Sequence, residues 1–305
     1  MGKAKEALEA YGVRALLAVL RALPFDASLA AGRLAGAAAG AAGRRRFALA
    51  VSQLREAYGE ALSGGEAERL ARAMYAHLGM CAAELAWARR RAGDGLAGWV
   101  SIEGLDLLKA ELAKGRGVLV ASGHLGNWEL GAMRLAAAGI PLAVVGKPFE
   151  NDGVQAVLAG LRRGGGLEVI GRKNALKAMR ELLRQGRCVG MLIDQDAREL
   201  GVFVPFFGRP ASTIPSLAAI ALRTGAPVVL GAVRREPDRR THVLSFSPVE
   251  IPPTTGDAKE DALRLTARMT RMLEDRIRLA PEQWFWMHRR WKTRPPANPP
   301  DILVP

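Results

Sequence analysis

The sequence predicts an α/β fold with a mostly parallel central sheet flanked by helices, and three observations carry that expectation. From Gly117 onward, short apolar runs alternate with helix-like stretches, the texture of βαβ units. The 305 residues, 49% hydrophobic and 24% charged, can bury a sizeable core and exclude both a disordered chain and a multi-span membrane protein. Cys81 and Cys188 lack metal-site spacing and are too few for a disulfide framework, so both are read as buried thiols of a folded protein.

The first 45 residues are rich in Ala, Leu and Gly, and Pro24 divides them into two helices. In the first, Leu16, Leu17, Leu20 and Leu23 recur near 3.6-residue spacing, with Arg14 and Arg21 on a shared edge. Such a helix suits either a lipid headgroup layer, where arginines snorkel to phosphates, or packing on its own domain. Glu6, Glu9 and the interspersed arginines argue against a secretory signal. The longest charge-free run, Pro210 to Leu222, falls short of the roughly 18 apolar residues of a spanning helix, so no conventional transmembrane helix is expected.

Helical periodicity continues over about 46–61 and 66–91, with Ser63–Gly64–Gly65–Glu66 as turn and cap. The strands then follow: GVLVAS at 117, PLAVVG at 141, LEVIG at 167, CVGMLID at 188 and PVVLGAV at 227. Helices are expected between them near 127–138, 152–165, 174–185 and 212–224. THVLSFSPVEI at 241–251 reads as a further strand at a sheet edge, and a long helix over about 257–279 follows it. The closing PPANPPDILVP is expected to lie extended.

Ligands of open α/β sheets bind at the carboxyl ends of the strands, so the residues just after each strand are the first candidates. These are Gly123–His124–Leu125–Gly126–Asn127–Trp128–Glu129, then Arg172–Lys173, then Asp194–Gln195–Asp196. His124 and Glu129, five apart, would diverge by about 140° on a continuous helix. A bend at Gly123 and Gly126, with Asn127 as N-cap, would let the Glu129 carboxylate orient one imidazole nitrogen and free the other as a general base for acyl transfer. The plainer alternative is a Glu that complements the helix dipole. Ser122, two residues before His124, lacks the G-x-S-x-G elbow of a hydrolase nucleophile.

SGHLGNWEL, carrying His124 and Glu129, resembles the H-x-x-x-x-E block of the late acyltransferases of lipid A biosynthesis, within the lysophospholipid acyltransferase superfamily. GRKNALKAMRELLRQGRCVGMLIDQDA, GVFVPFFGRPASTIPSLAAIALRTGAPVV and PEQWFWMHRRWKTRP resemble further blocks in the same order, so the likeness covers about residues 105–295. The resemblance implies fatty acyl transfer from a thioester, acyl-acyl carrier protein or acyl-coenzyme A as co-substrate, to a hydroxyl of a lipid A precursor glycolipid, the alternatives being another acceptor such as a lysophospholipid or amino-acid lipid, or a non-catalytic lipid-binding scaffold. It implies His124 as base with Glu129 as its partner, no resident cofactor and no metal. Arg172, Asp194, Asp196 and Asn127 are the candidate substrate-binding residues, Arg172 for a phosphate or oxyanion, with no choice made between the two aspartates. The division that follows is membrane-associating helices over 1–45, an acyltransferase domain over 46–295 and a Pro-rich tail over 296–305, at the cytoplasmic face of an inner membrane.

Charge agrees with anionic partners. The formal net charge is +14, and residues 161–187 alone carry eight cations against two acids. An acyl carrier protein, a phosphorylated glycolipid and an anionic membrane surface explain this excess; with no recognised motif present, nucleic acid does not. Phe203, Phe206 and Phe207 suit either core packing or the wall of an acyl channel. Trp284, Phe285, Trp286 and Trp291, interleaved with His288 and cations, suit either an interfacial belt or a helix docked on the sheet. VSQLREAYGE lacks the Asn and aromatic-Pro pair often found in that family region, and the N-terminus lacks a continuous apolar anchor.

Overall fold

A computed structural model of the chain describes residues 2–91, 93–146, 151–171 and 174–296. Arg172, Lys173 and the tail beyond 296 lie outside the described residues. The N-terminal part is helical: α1 (Gly2–Ala22), α2 (Phe25–Ala42), α3 (Arg44–Tyr58) and α4 (Gly64–Ala88). Pro24 separates the first two as expected. The Glu66 carboxylate accepts the Ser63 main-chain N–H at 2.9 Å and the Ser63 hydroxyl oxygen accepts the Glu66 main-chain N–H at 3.3 Å, a capping box at the start of α4.

The Gly- and Ala-rich face of α2 packs on α4 rather than facing outward. A Cβ added at Gly36 would lie 2.1 Å from the Tyr75 carbonyl oxygen, and one at Gly79 would lie 1.9 Å from that of Gly32. The two backbones therefore touch, and any larger side chain must part the helices. Gly79→Val is expected to cost about 3 kcal/mol through overpacking, read as a lower urea midpoint at unchanged slope.

The Leu stripe of α1 turns inward except at Leu16, which is exposed. Leu20 is buried against Leu29 and Met80, with Leu17 partly buried beside them, so this stripe packs on its own protein. With Leu16, the side chains of Leu8, Tyr11 and Val19 stay exposed on α1. Among the described residues no helix is long and apolar enough to cross a membrane.

The seven-stranded sheet runs β1-β9-β8-β2-β5-β3-β4. It comprises β1 (Val100–Glu103), β2 (Val118–Ser122), β3 (Leu142–Gly146), β4 (Glu168–Gly171), β5 (Cys188–Leu192), β8 (Val228–Arg235) and β9 (His242–Pro248). All neighbours pair in parallel except β8 with β9. The expected edge position of β9 is wrong: β1 covers it, with Val100 opposite His242. Four residues are too few for a periodic signal, and the partner of β1 lies some 140 positions later in the chain.

Residues 201–213 form a separate antiparallel hairpin, β6 (Val202–Phe206) and β7 (Arg209–Thr213). Its two-residue loop, Phe207–Gly208, has φ of 52° and 69°, as hairpin twist demands. The Glu274 carboxylate accepts the Phe207 N–H at 2.6 Å and holds this unusual Phe conformation. Phe206 and Phe207 are buried core residues.

Helices α5 (Leu105–Ala113), α6 (Trp128–Ala137) and α7 (Asp152–Gly164) cover one face of the sheet; α8 (Ala175–Arg184), α9 (Ser216–Thr224) and α10 (Ala258–Leu279) cover the other. Within β2 the alternation is strict, with Val118 and Val120 facing α6 while Leu119 and Ala121 face α9 and α10. The chain leaves β2 toward β3 and leaves β5 the opposite way toward β8. The connections that follow β2 and β5 pass over opposite faces of the sheet, so a crevice opens between these strands at their carboxyl ends.

Candidate active site

His124 follows β2 and Asp194 follows β5, so the crevice brings them together. Gly123 makes room, since a Cβ there would sit 2.9 Å from the Asp194 carboxylate. Gly126, at φ 61°, lies so close to the Val233 carbonyl that no other residue fits. Asn127 caps α6 by accepting the Leu130 N–H at 3.2 Å.

Asp194, 3% exposed, receives three donors. His124 Nδ1 lies 2.7 Å from Oδ1, the His124 main-chain N–H donates to Oδ2 at 2.6 Å, and the Trp284 indole N–H donates to Oδ2 at 2.7 Å. Burial alone would raise the carboxyl pKa, yet the charge and hydrogen bonds of His124, together with Trp284, hold it down to about 2. An ionised carboxylate only accepts, so Nδ1 carries a proton, and in the neutral form of the ring the lone pair is therefore on Nε2. The neighbour recorded for Nε2 is the Gln195 amide, at 3.4 Å. The ring stacks edge-on to Trp128, with centroids 5.0 Å apart, and keeps 18% of its side chain exposed.

Glu129 does not orient His124. It pairs with the guanidinium of Arg162 on α7, Nε to Oε2 at 2.9 Å with a second contact from Nη2 to Oε1. The bend that frees His124 toward β5 sends the first turn of α6, and Glu129 with it, toward α7. Both members of this ion pair line an apolar pocket between α6, α7 and the sheet, with Trp128, Val120, Leu135 and Val144 among its other walls. Ser122 also lines the pocket and makes no recorded hydrogen bond to His124.

The expectation that Asn127 binds substrate fails on burial. It is 2% exposed, and its amide donates to Glu84 at 2.8 Å while its oxygen caps α6. Glu84 on α4 also meets Arg235 and, at 2.9 Å, His242 Nε2, so one buried carboxylate ties α4, β8 and β9 to the His124 turn. Asp196 is not brought to His124: its N–H donates to His288 Nε2 at 2.8 Å, and its Oδ2 accepts the Thr293 hydroxyl at 3.0 Å. Arg172 lies outside the described residues. Cys81 and Cys188 are free and buried, and burial pushes both thiols up to about 12.

Two contributors escaped the sequence reading, Arg162 and Gln53, and a third, Trp284, was read there only as part of an apolar segment. The segment after α10 is neither an interfacial belt nor a docked helix but a strap across the site. Trp284 and Trp286 are buried, Phe285 N–H donates to the His124 carbonyl at 3.1 Å, and Gly126 N–H donates to the Gln283 carbonyl at 3.1 Å. Gln53, inside the atypical VSQLREAYGE segment, pins the strap by donating to the Trp286 and His288 carbonyls and accepting the Arg290 N–H. Trp284→Phe removes one N–H from Asp194 and concentrates its charge, which stabilises the imidazolium. About a tenfold lower kcat is expected, with the acid limb of the pH profile moved upward, a shift that mere loss of packing would not produce.

Fold and site together define a class: a mostly parallel α/β protein whose crevice holds an aspartate-bound imidazole beside an apolar pocket. The family described as bacterial lipid A biosynthesis acyltransferase matches residues 4–293, and the chain belongs to it. It is 32% identical to the lipid A biosynthesis lauroyltransferase of Escherichia coli (strain K12) over 70% of this chain and 67% of the relative. It is 30% identical to the lipid A biosynthesis palmitoleoyltransferase of the same strain, over 76% and 74%. A phosphatidylinositol mannoside acyltransferase of Mycobacterium tuberculosis (strain ATCC 25618 / H37Rv) is 31% identical over 42% of each chain.

Proposed function

We propose that this chain transfers a fatty acyl group from a thioester, acyl-acyl carrier protein or acyl-coenzyme A, to a hydroxyl of a lipid A precursor glycolipid, with His124 as general base. The observation that carries the reading is the Asp194–His124 pair, with Nε2 turned away from the carboxylate and met, among the described residues, only by the Gln195 amide at 3.4 Å, set beside the apolar pocket. Nε2 takes the acceptor hydroxyl proton as the oxygen attacks the thioester carbonyl. The tetrahedral intermediate then collapses, the carbon–sulfur bond breaks, and the proton passes from Nε2 to the departing thiolate, which leaves ester and thiol. No resident cofactor takes part. Arg172 is the candidate donor to the oxyanion or to a phosphate. A saturated chain in the pocket gains about 0.8 kcal/mol per buried methylene, which makes pocket depth a selector of chain length.

Attachment is peripheral, at the cytoplasmic face of the inner membrane, through the outward Leu8, Tyr11, Leu16 and Val19 of α1 with Arg14 beside them. Acyl carrier protein, the glycolipid acceptor and an anionic membrane surface are the partners. The mannoside-acyltransferase relative favours a second reading with another lipid acceptor. Mass spectrometry of lipids from cells lacking the protein decides, because the missing mass names chain and headgroup. A glycolipid short of one acyl chain is expected; an unchanged glycolipid with an altered phospholipid overturns the first reading in favour of the second.

A further inference from the structure

A second cleft, of about 460 Å3, has in its lining Gln283, which is bonded to the His124 turn. Gln283, whose carbonyl accepts the Gly126 N–H, lines the cleft, whereas Trp128 and Glu129 line the pocket. Ala76 and Met80 of α4 and Leu279 at the end of α10 give the cleft an apolar lining. Arg33, Arg234 and Arg239 add cations to it.

Arg234 is paired with Glu236 at 2.8 Å, but among the described residues neither Arg33 nor Arg239 has a recorded carboxylate partner, and both are exposed. Arg239 does not sit on a loose loop. Its carbonyl accepts from the buried Arg235 guanidinium at 3.0 Å, and the Asp238 carboxylate accepts from the Arg240 and Thr241 main-chain N–H groups at 2.8 and 3.0 Å. Arg240 in turn pairs with Asp26 at 2.8 Å, which ties the turn to α2, the helix that carries Arg33. Beside Arg33, Leu34 is 71% exposed.

We infer that this cleft binds the phosphate-bearing headgroup of the acceptor lipid, with Arg33 and Arg239 contacting phosphate and the apolar lining taking the adjoining hydrocarbon. The inference rests on the proposed function. Two substrates must reach one imidazole, and the residues on either end of its turn lead to different cavities: Trp128 lines the pocket, and Gln283, bonded to Gly126, lines the cleft. Unpaired guanidinium groups above an apolar surface match a phosphorylated amphiphile in both charge and shape. Glu282 and Glu236 also line the cleft, and Glu236 is taken up by Arg234, which leaves Arg33 and Arg239 as the cations that face a ligand phosphate.

The test uses the full chain in nonionic detergent micelles with a radiolabelled acyl thioester and two acceptors, a phosphorylated glycolipid and its phosphatase-treated form. For the Arg33→Gln/Arg239→Gln double variant, KM for the phosphorylated acceptor is expected to rise about tenfold, with donor KM unmoved and kcat within about twofold. The dephosphorylated acceptor should show no such penalty, and Lys109→Gln, on exposed α5 surface, should behave as wild type. An unchanged KM, or an equal rise for both acceptors, overturns the inference. So does a penalty that appears only when anionic vesicles replace the micelles, since that assigns the arginines to bulk membrane lipid. If wild type acylates neither glycolipid, the functional reading fails separately. Equilibrium binding of the phosphorylated glycolipid to wild type and double variant then decides the cleft, with weaker binding by the variant expected and equal binding overturning it.

Discussion

His124→Ala is expected to leave a folded protein that transfers acyl groups about 10³-fold more slowly, a rise of about 4 kcal/mol in the barrier. The turn does not depend on the ring: the His124 N–H still meets Asp194, its carbonyl still accepts from Phe285, and Gly126 still meets Gln283. What disappears is the lone pair at Nε2. Single-turnover measurement with saturating donor and acceptor isolates that step, with KM for both substrates little changed because the loss falls on the transition state. Product formation equal to wild type would remove His124 from the mechanism.

Asp194→Asn should lower kcat by about 10²- to 10³-fold, by analogy with removal of an aspartate that orients a catalytic imidazole. The amide offers one acceptor atom where three donors converged, so the ring loses its fixed tautomer and the imidazolium loses its counter-charge. The same carboxylate affects stability. Its folded pKa lies at about 2, below the 3.8 of an unperturbed aspartate, despite burial, because His124 and Trp284 favour the charged form. The stabilisation is therefore complete above pH 4 and fades as pH falls toward 2, with roughly 2 kcal/mol at stake. Urea unfolding at pH 7 and pH 3 should show a smaller difference for Asp194→Asn than for wild type. Glu129→Gln is the contrast: its carboxylate meets Arg162 and not His124, so the acid limb of its pH profile should stay in place.

The strands of the parallel part were legible because each buried strand is a short apolar run between amphipathic helices. His124 was legible because residues at the carboxyl end of a parallel strand face the ligand side. β1 was not, since VSIE gains its identity from pairing with residues 242–245. Trp284 carried an apolar signal with two readings, and its indole bond to Asp194, with the main-chain bonds of Gln283 and Phe285 to the His124 turn, distinguishes a strap from a belt or a docked helix.

Taken alone, the chain of letters determined the alternation of elements, the imidazole and the family likeness, all of which are local or ordered along the sequence. Tertiary structure alone decided which acid holds the imidazole. Glu129 stands five residues from His124 and turns away with α6, whereas Asp194, seventy residues on, arrives at its ring. The physical reason is topological: adjacent strands whose connections diverge place residues distant in sequence at one crevice, and helix geometry separates residues that are neighbours in sequence.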